Sequence, residues 1–295
     1  MGGTPAKMPG GPYGVFDEET PEDAKYKVSP AFRNADMKDI PTKTKSGATT
    51  GWEVVEPAFD KFASAPAAGT RALLKREWVE ENGKRFEKLH LAPTFEWVTY
   101  AELGARVEAL AAGLVSATGL ARGSRVLIYA ETQRDWMVAA FACWRQGAEV
   151  VTAYATLGEE GVATALNQTK ATTCVCDAKL FKTLARAAEK CAGLQFVVTI
   201  GADEVDAAAL AGVTTVSMDE LVGAGATAPC EPTPPAPGDV AVVMYTSGTT
   251  GTSKGVLITH EAIATQCAGG EIAMPFVNSD TTYIPLGSTR ERRRE

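Results

Sequence analysis

The chain has 295 residues, which by length alone is enough for about two domains, and 45% of them are hydrophobic, which is ample for a sizeable core. Its net charge of −7 and its pI near 5.1 exclude nucleic acid as the main partner, because such binding usually needs a basic face. The sequence contains no apolar run of about 18 residues and no apolar stretch at its N-terminus, so neither a membrane-spanning helix nor a secretory signal is predicted.

The numbers and spacing of the cysteines and histidines predict a reducing compartment and do not predict a metal site. The six cysteines lack Cys-x-x-Cys spacing, and they are interpreted as small buried apolar residues. Cys174 and Cys176 are two positions apart in an apolar run and are predicted on the same face of one strand. His90 and His260 are the only histidines, so a zinc site is not expected.

Residues 1–50 are rich in glycine, proline, lysine, threonine and acidic residues and show little periodicity. They are interpreted as a mobile leader or as a segment laid over the surface. Ordered structure is predicted to begin near Gly51, and the folded part is predicted to span residues 51–286.

The first predicted elements are a short helix, a β-hairpin and a capped helix. A capping box begins the capped helix, with Thr99 as N-cap and Glu102 three residues later, and Gly119 ends it. The predicted ranges are a helix at 52–63 broken by Pro66, strands at 71–79 and 84–91 joined by Asn82-Gly83, a strand at 96–98 and the capped helix after Thr99.

From Arg125 onward, strand and helix patterns alternate. Such repeated β–α units predict an α/β fold with a largely parallel sheet and helices on its faces. Trp136 and Trp144 lie eight residues apart on one predicted helix and are interpreted as core residues. The predicted strands are 125–129, 149–152, 172–176 and 196–200, and the predicted helices are 135–145, 157–167, 178–191 and a short helix opened by the capping box Ser217–Glu220.

Five prolines between Pro229 and Pro237 indicate a stiff surface connector that leads into an apolar run. That run, Val240–Tyr245, is typical of a strand covered on both faces, and Val256–Ile258 resumes the β pattern.

The segment between these two strands has the composition of an anion-binding loop. Thr246 to Gly255 holds several hydroxyl residues, three glycines and a single charge, Lys254. Backbone N–H groups, hydroxyls and one ammonium suit a polyphosphate, although an ordinary surface turn can have a similar composition. The loop does not match the Walker A pattern, because Lys254 stands between Ser253 and Gly255 and a strand follows in place of a helix.

The run Tyr-Thr-Ser-Gly-Thr-Thr-Gly-x-x-Lys-Gly, residues 245–255, closely resembles the phosphate loop of the adenylate-forming (AMP-forming) synthetases. Further stretches resemble the long-chain fatty acyl-CoA synthetases of eukaryotes. They are residues 76–89, 96–100, 129–140 and 150–160, the last with Thr-Leu-Gly-Glu-Glu, and the resemblance runs from about Gly51 to Leu286. It implies that the sheet is part of the large N-terminal domain of such an enzyme.

The resemblance also implies an activity and a set of site residues. The family activates a fatty acid with ATP and Mg²⁺ to an acyl-adenylate, releases pyrophosphate, and transfers the acyl group to coenzyme A. Thr246 would help hold Mg²⁺, Ser253 stands where the family usually has proline, and His260 is expected to cap or pack at least as much as to act in catalysis. The residues that would contact the ATP phosphates are Thr246, Ser247, Gly248, Thr249, Thr250, Gly251 and Lys254.

The end of the sequence departs from the family pattern. Tyr283–Leu286 resembles the start of the next family motif, but Gly287 and Ser288 replace its Ala-His pair, and residues 287–295 form an atypical charged tail. The motifs for adenine, ribose, the acidic magnesium ligand, the hinge and the catalytic lysine do not follow. We therefore expect a truncated adenylation domain that makes no acyl-CoA by itself.

Two alternatives stay open from the sequence: an adenylate-forming ligase for another carboxylic acid, and a non-catalytic ATP-binding fragment. The resemblance implies ATP, a long-chain fatty acid and CoA as partners. It also implies peripheral association with the cytoplasmic face of an intracellular membrane such as the endoplasmic reticulum, or a cytoplasmic location.

Overall fold

The computed structural model describes residues 14–16, 32–34, 39, 41–81, 83–201, 204–246 and 254–273. The strands are β1 Gly14–Phe16, β2 Phe32–Asn34, β3 Pro66–Thr70, β4 Leu73–Glu81, β5 Lys84–Leu91, β6 Glu96–Thr99, β7 Arg125–Ala130, β8 Glu149–Tyr154, β9 Thr173–Asp177, β10 Phe196–Ile200, β11 Thr214–Ser217, β12 Val240–Thr246 and β13 Lys254–Thr259. The α-helices are α1 Gly51–Lys61, α2 Tyr100–Thr118, α3 Arg134–Arg145, α4 Glu159–Thr169, α5 Phe181–Ala188, α6 Met218–Thr227 and α7 His260–Ala273, with short 3₁₀ turns at Ala178–Leu180 and Ala207–Ala209.

The central feature is a seven-stranded sheet in the order β11-β10-β9-β7-β8-β12-β13. Every neighbouring pair is parallel except β12 and β13, which are antiparallel. Strands β8-β7-β9-β10-β11 repeat the 2-1-3-4-5 order of doubly wound sheets, with a switch point between β7 and β9. The predicted α/β class with a largely parallel sheet is confirmed.

Helices cover both faces of the sheet, and side-chain alternation along the strands divides the core between them. On one face, Val126 and Ile128 of β7 pack with residues of α1, α2, α3 and α6. On the other face, Leu127 and Tyr129 pack with residues of α4 and α5. Cys174 and Cys176 are both buried in this second layer, as predicted, and burial raises the pKa of both thiols.

Local sequence signals explain where the helices begin and end. The predicted capping boxes at Thr99–Glu102 and Ser217–Glu220 are both formed, and Gly119 ends α2 in the left-handed conformation with φ +67°. A further capping box, Thr50–Glu53, begins α1 and was not predicted.

The smaller β elements agree with the prediction only in part. The β4–β5 hairpin is formed in antiparallel register, and Gly83 adopts φ +71° in its turn. Residue 82 lies outside the described residues. Four strands were missed: β1 and β2 before Gly51, β3, which pairs antiparallel with β6, and β11, which extends the sheet beyond β10.

Before Gly51, β1 and β2 pair antiparallel, and Thr44, Ala48 and Thr50 are buried. The domain boundaries at 50 and 286 stay predictions.

Among the described residues, none of the helices combines the length and the hydropathy that a membrane span requires.

Candidate functional site

The structure brings the two ends of the predicted phosphate loop together. β12 and β13 form an antiparallel hairpin in which Thr246 and Lys254 are Cα partners. Lys254 is exposed. The other predicted phosphate-binding residues lie outside the described residues and stay predictions: Ser247, Gly248, Thr249, Thr250 and Gly251.

The hairpin lies at a suitable place in the sheet for a ligand. β12 runs parallel to β8, and Thr246 is its last residue, so the loop begins at the carboxyl end of the strands. In open α/β sheets, ligands bind at this edge. Lys254 is the first residue of β13, so its exposed ammonium group lies at the same edge and would attract an anion bound there.

The prediction that Val240–Tyr245 is covered on both faces is wrong at Met244. Val243 and Tyr245 are each 4% exposed, but Met244 on the opposite face is 39% exposed. Within the described residues, α3 and α7 cover that face only near the start of β12. Val256 and Leu257 of β13 are 47% and 64% exposed, as suits the last strand of the described sheet.

The exposed side of Met244 borders an apolar groove of about 310 Å³. The groove runs along the carboxyl ends of β7, β8 and β12 and between α3 and α7. Its lining includes Trp136, Met137, Phe141, Tyr154, Met244 and Ile263. Since Met244 is two residues before Thr246, the groove opens beside the start of the loop.

The base of the hairpin is held by hydrogen bonds and ring packing around the start of α7. The N–H of His260 donates to the carbonyl of Asp239 at 2.9 Å, and the hydroxyl of Thr259 accepts the N–H of Ala262 at 3.2 Å. The His260 ring is fully buried and meets the ring of Trp144 edge to face, with centroids 5.2 Å apart. Burial lowers the pKa of His260 to about 4. The sequence had left capping, packing and catalysis open for His260, and the geometry supports packing.

Trp144 was predicted only as a core residue, and that is confirmed, since it is 8% exposed. Its indole N–H also donates to the carbonyl of Ala241 at 3.0 Å. No sequence signal marks this bond, because it joins residues 97 positions apart. Trp136, the other tryptophan of α3, is partly buried against the same core.

A second polar cluster lies at the switch point of the sheet. Asp177 at the end of β9 is 5% exposed and accepts hydrogen bonds from the backbone of Glu131 and the side chain of Gln133. Burial raises the pKa of Asp177. Both carboxylate oxygens of Asp177 are therefore already paired.

Among the described residues, no three histidine, cysteine, aspartate or glutamate side chains are arranged so that they could hold a metal ion.

The fold is that of the adenylation domains of adenylate-forming enzymes. It is similar to the A-PCP didomain of carboxylic acid reductase from Segniliparus rugosus in complex with AMP, with a TM-score of 0.61 and 21% identity over 74% of this chain and 32% of that one. It is also similar to a long-chain-fatty-acid-CoA ligase from Archaeoglobus fulgidus, with a TM-score of 0.56 and 21% identity over 78% of this chain and 40% of that one.

The chain belongs to the AMP-binding enzyme family, whose model matches residues 77–287. It is 34% identical over 258 residues to long chain acyl-CoA synthetase 8 of Arabidopsis thaliana, a match that covers 85% of this chain and 35% of the relative. It is 28% identical to long-chain-fatty-acid–CoA ligase 2 of Schizosaccharomyces pombe, over 82% of this chain and 38% of the relative. The chain thus spans somewhat more than a third of the length of these relatives.

Proposed function

We propose that the protein serves as an AMP-forming long-chain fatty acid–CoA ligase, and that this chain supplies the part that binds the ATP phosphates. The observation that carries the proposal is the hairpin whose paired ends, Thr246 and Lys254, enclose the glycine- and hydroxyl-rich segment at the carboxyl edge of the sheet. Membership of the AMP-binding enzyme family and the names of the relatives support it.

In the proposed reaction, a carboxylate oxygen attacks the α-phosphorus of ATP, the bond to the β-phosphate oxygen breaks, and pyrophosphate leaves. The thiol of CoA then displaces AMP from the acyl-adenylate and loses its proton. Residues 246–251 and Lys254 would hold the β- and γ-phosphates and neutralise charge that grows on the leaving group. The Thr246 hydroxyl would help hold Mg²⁺, which supplies further charge neutralisation.

The apolar groove supports a hydrocarbon substrate. Its volume of about 310 Å³ and its aromatic and methionine lining suit an alkyl chain, and the groove opens next to Thr246. An acid whose carboxylate reaches the loop would place its chain against Met244 and Phe141.

Nucleotide binding tests the phosphate site directly. We expect the chain to bind Mg-ATP, and Lys254→Met to weaken that binding at least about tenfold, because a charge-assisted contact is lost. Lys182→Met is the matched control, since Lys182 is also exposed but lies on α5. Equal affinity of Lys254→Met and the unmodified chain would contradict the assignment.

The acid is tested by ATP–pyrophosphate exchange with the product of the completed gene, which also carries the later family motifs, across aliphatic, aryl and amino acids. Exchange that depends on long-chain fatty acids supports the proposal. Dependence on another acid favours an adenylate-forming ligase for that carboxylic acid. ATP binding without exchange favours a non-catalytic binding fragment. The expectation that these 295 residues alone form no acyl-CoA stays a prediction, and turnover of palmitate with ATP and CoA would refute it.

We also propose peripheral association with a cytoplasmic membrane face, because long-chain fatty acids partition into lipid. Co-flotation of the chain with liposomes tests it.

A further inference from the structure

We propose that Trp144 is a positioning residue that holds both arms of the β12–β13 hairpin and thereby fixes the direction in which the phosphate loop leaves the sheet. The proposal rests on the function above only for its nucleotide readout.

The first contact is made with β12 at a break in its pairing. The register between β12 and β13 shifts between Val240 and Val242, so Ala241 has no Cα partner on β13. The pairing of β12 with β8 begins only at Val242. The indole N–H of Trp144 donates to the carbonyl of this fully buried Ala241 at 3.0 Å. The indole therefore adds a hydrogen bond to β12 at its irregular point, inside the core.

The second contact is made with the other arm. The Trp144 ring packs edge to face on His260, the residue that directly follows β13, with an interplanar angle of 70°. Aromatic pairs of this geometry are favourable beyond their burial. One side chain of α3 therefore touches β12 and the residue at which the other arm of the hairpin passes into α7.

The packing behind the two rings is close. A Cβ added at Gly51, the first residue of α1, would lie 3.1 Å from Cζ3 of Trp144 and 3.4 Å from Nδ1 of His260. Phe141 supports the other side of Trp144, with ring centroids 5.7 Å apart. The indole thus has little freedom to turn away from Ala241.

The bond from Trp144 to Ala241 lies at the start of β12, whereas the phosphate loop begins at the end of that strand. Thr246 lies five residues beyond Ala241, a distance of roughly 17 Å along a strand. A small rotation of the hairpin about its base therefore shifts the loop by more than the tolerance of a phosphate site.

The experiment is hydrogen exchange of the full chain, read by mass spectrometry. Trp144→Phe keeps an aromatic ring but removes the indole N–H. We expect exchange in β12 and β13 to rise at least tenfold relative to β9 and β10. Exchange that is unchanged, or that rises equally in all four strands, overturns the proposal.

Trp52→Phe is the matched control. Trp52 is 2% exposed, and its indole N–H has no hydrogen-bond partner in the described part of the chain, so the same substitution removes no such bond. We expect it to show no preference for β12 and β13. A preference as large as that of Trp144→Phe would show that loss of any buried indole loosens the hairpin, which overturns the specific role.

A measurement on the unmodified chain covers the case in which Trp144→Phe does not fold. With ¹⁵N-labelled tryptophan, the indole N–H of Trp144 should exchange at least a hundredfold more slowly than that of Trp78, which is 59% exposed. Equal rates would overturn the proposal.

Nucleotide affinity adds the functional readout. If the unmodified chain binds Mg-ATP, Trp144→Phe should weaken binding several-fold more than Trp52→Phe at equal global stability, and equal affinities would overturn the link to the loop. If the unmodified chain binds no nucleotide, the proposed function fails, while the exchange data still decide whether Trp144 positions the hairpin.

Discussion

The carboxylate of Asp177 accepts the backbone N–H of Glu131 at 2.8 Å, which ties the carboxyl end of β9 to the residue that follows β7. The second carboxylate oxygen accepts the side-chain amide of Gln133, the N-cap residue of α3. One buried side chain therefore fixes the two strands and the helix that meet at the switch point, and α3 is the helix that carries Trp144.

Replacement of Asp177 tests this tie. We expect Asp177→Ala to lower the free energy of unfolding by about 2 kcal/mol, since two donors in a buried region lose their acceptor. Asp177→Asn keeps one acceptor oxygen and removes a buried charge, so its loss should be smaller. Urea denaturation of the two variants measures the difference, and an equal or larger loss in Asp177→Asn would contradict the expectation.

Two glycines of α6 have opposite expected tolerance to alanine. A Cβ at Gly225 would lie 1.9 Å from the carbonyl oxygen of Ala109 in α2, whereas a Cβ at Gly223 meets nothing within 4 Å. Gly225→Ala must push the helices apart and should cost about 3 kcal/mol or more. Gly223→Ala should stabilise by up to about 1 kcal/mol, because alanine favours a helix interior. Thermal unfolding compares them, and similar melting temperatures would refute the close α2–α6 contact.

Arg106 joins α2 to two aspartates of unequal burial. It makes two hydrogen bonds to Asp135, at 3.0 and 3.1 Å, and one to Asp219 at 2.8 Å. The Asp135 side chain is 17% exposed and that of Asp219 is 83% exposed. We expect Asp135→Ala to cost about 2 kcal/mol and Asp219→Ala less than about 0.5 kcal/mol. Urea midpoints in low and high salt measure both, and a larger loss for Asp219→Ala would refute the ranking.

Most of the central sheet was predictable from the sequence because its strands are short apolar runs separated by helical periodicity. β3 was missed since Pro66 and Gly69 are usual breakers of regular structure, and it forms by pairing with β6. β11 was missed because Thr214–Ser217 is polar and short, and only its place beside β10 makes it a strand.

The sequence pointed to candidate site residues only where neighbouring positions along the chain carry the signal. Composition and resemblance pointed to the loop ends, Thr246 and Lys254. They did not reveal the exposure of Met244, the bond from Trp144 to Ala241 or the role of Asp177, which depend on long-range packing. For Asp177 a signal existed, since a carboxylate directly after a buried strand lies at the ligand-binding edge of a parallel sheet.

His260 gives a prediction for the pH dependence of stability. It is fully buried, neither ring nitrogen has a hydrogen-bond partner among the described residues, and burial lowers its pKa from 6.5 to about 4. Between these values the unfolded chain binds a proton that the folded chain rejects. Stability from this residue is therefore complete above about pH 6.5 and falls as the pH drops toward 4, by roughly 3 kcal/mol in all.

His260→Leu removes the titrating ring while keeping an apolar side chain in its place. We expect its stability at pH 7 to equal or exceed that of the unmodified chain, because two unpartnered nitrogens leave the core. Its loss of stability between pH 6.5 and 4 should be smaller by roughly 3 kcal/mol, measured by urea denaturation across that range. His90→Gln is the control, since His90 is partly exposed and bonded to Glu77, and it should leave the acid destabilisation in place. An unchanged acid profile in His260→Leu would show that the proton binds elsewhere.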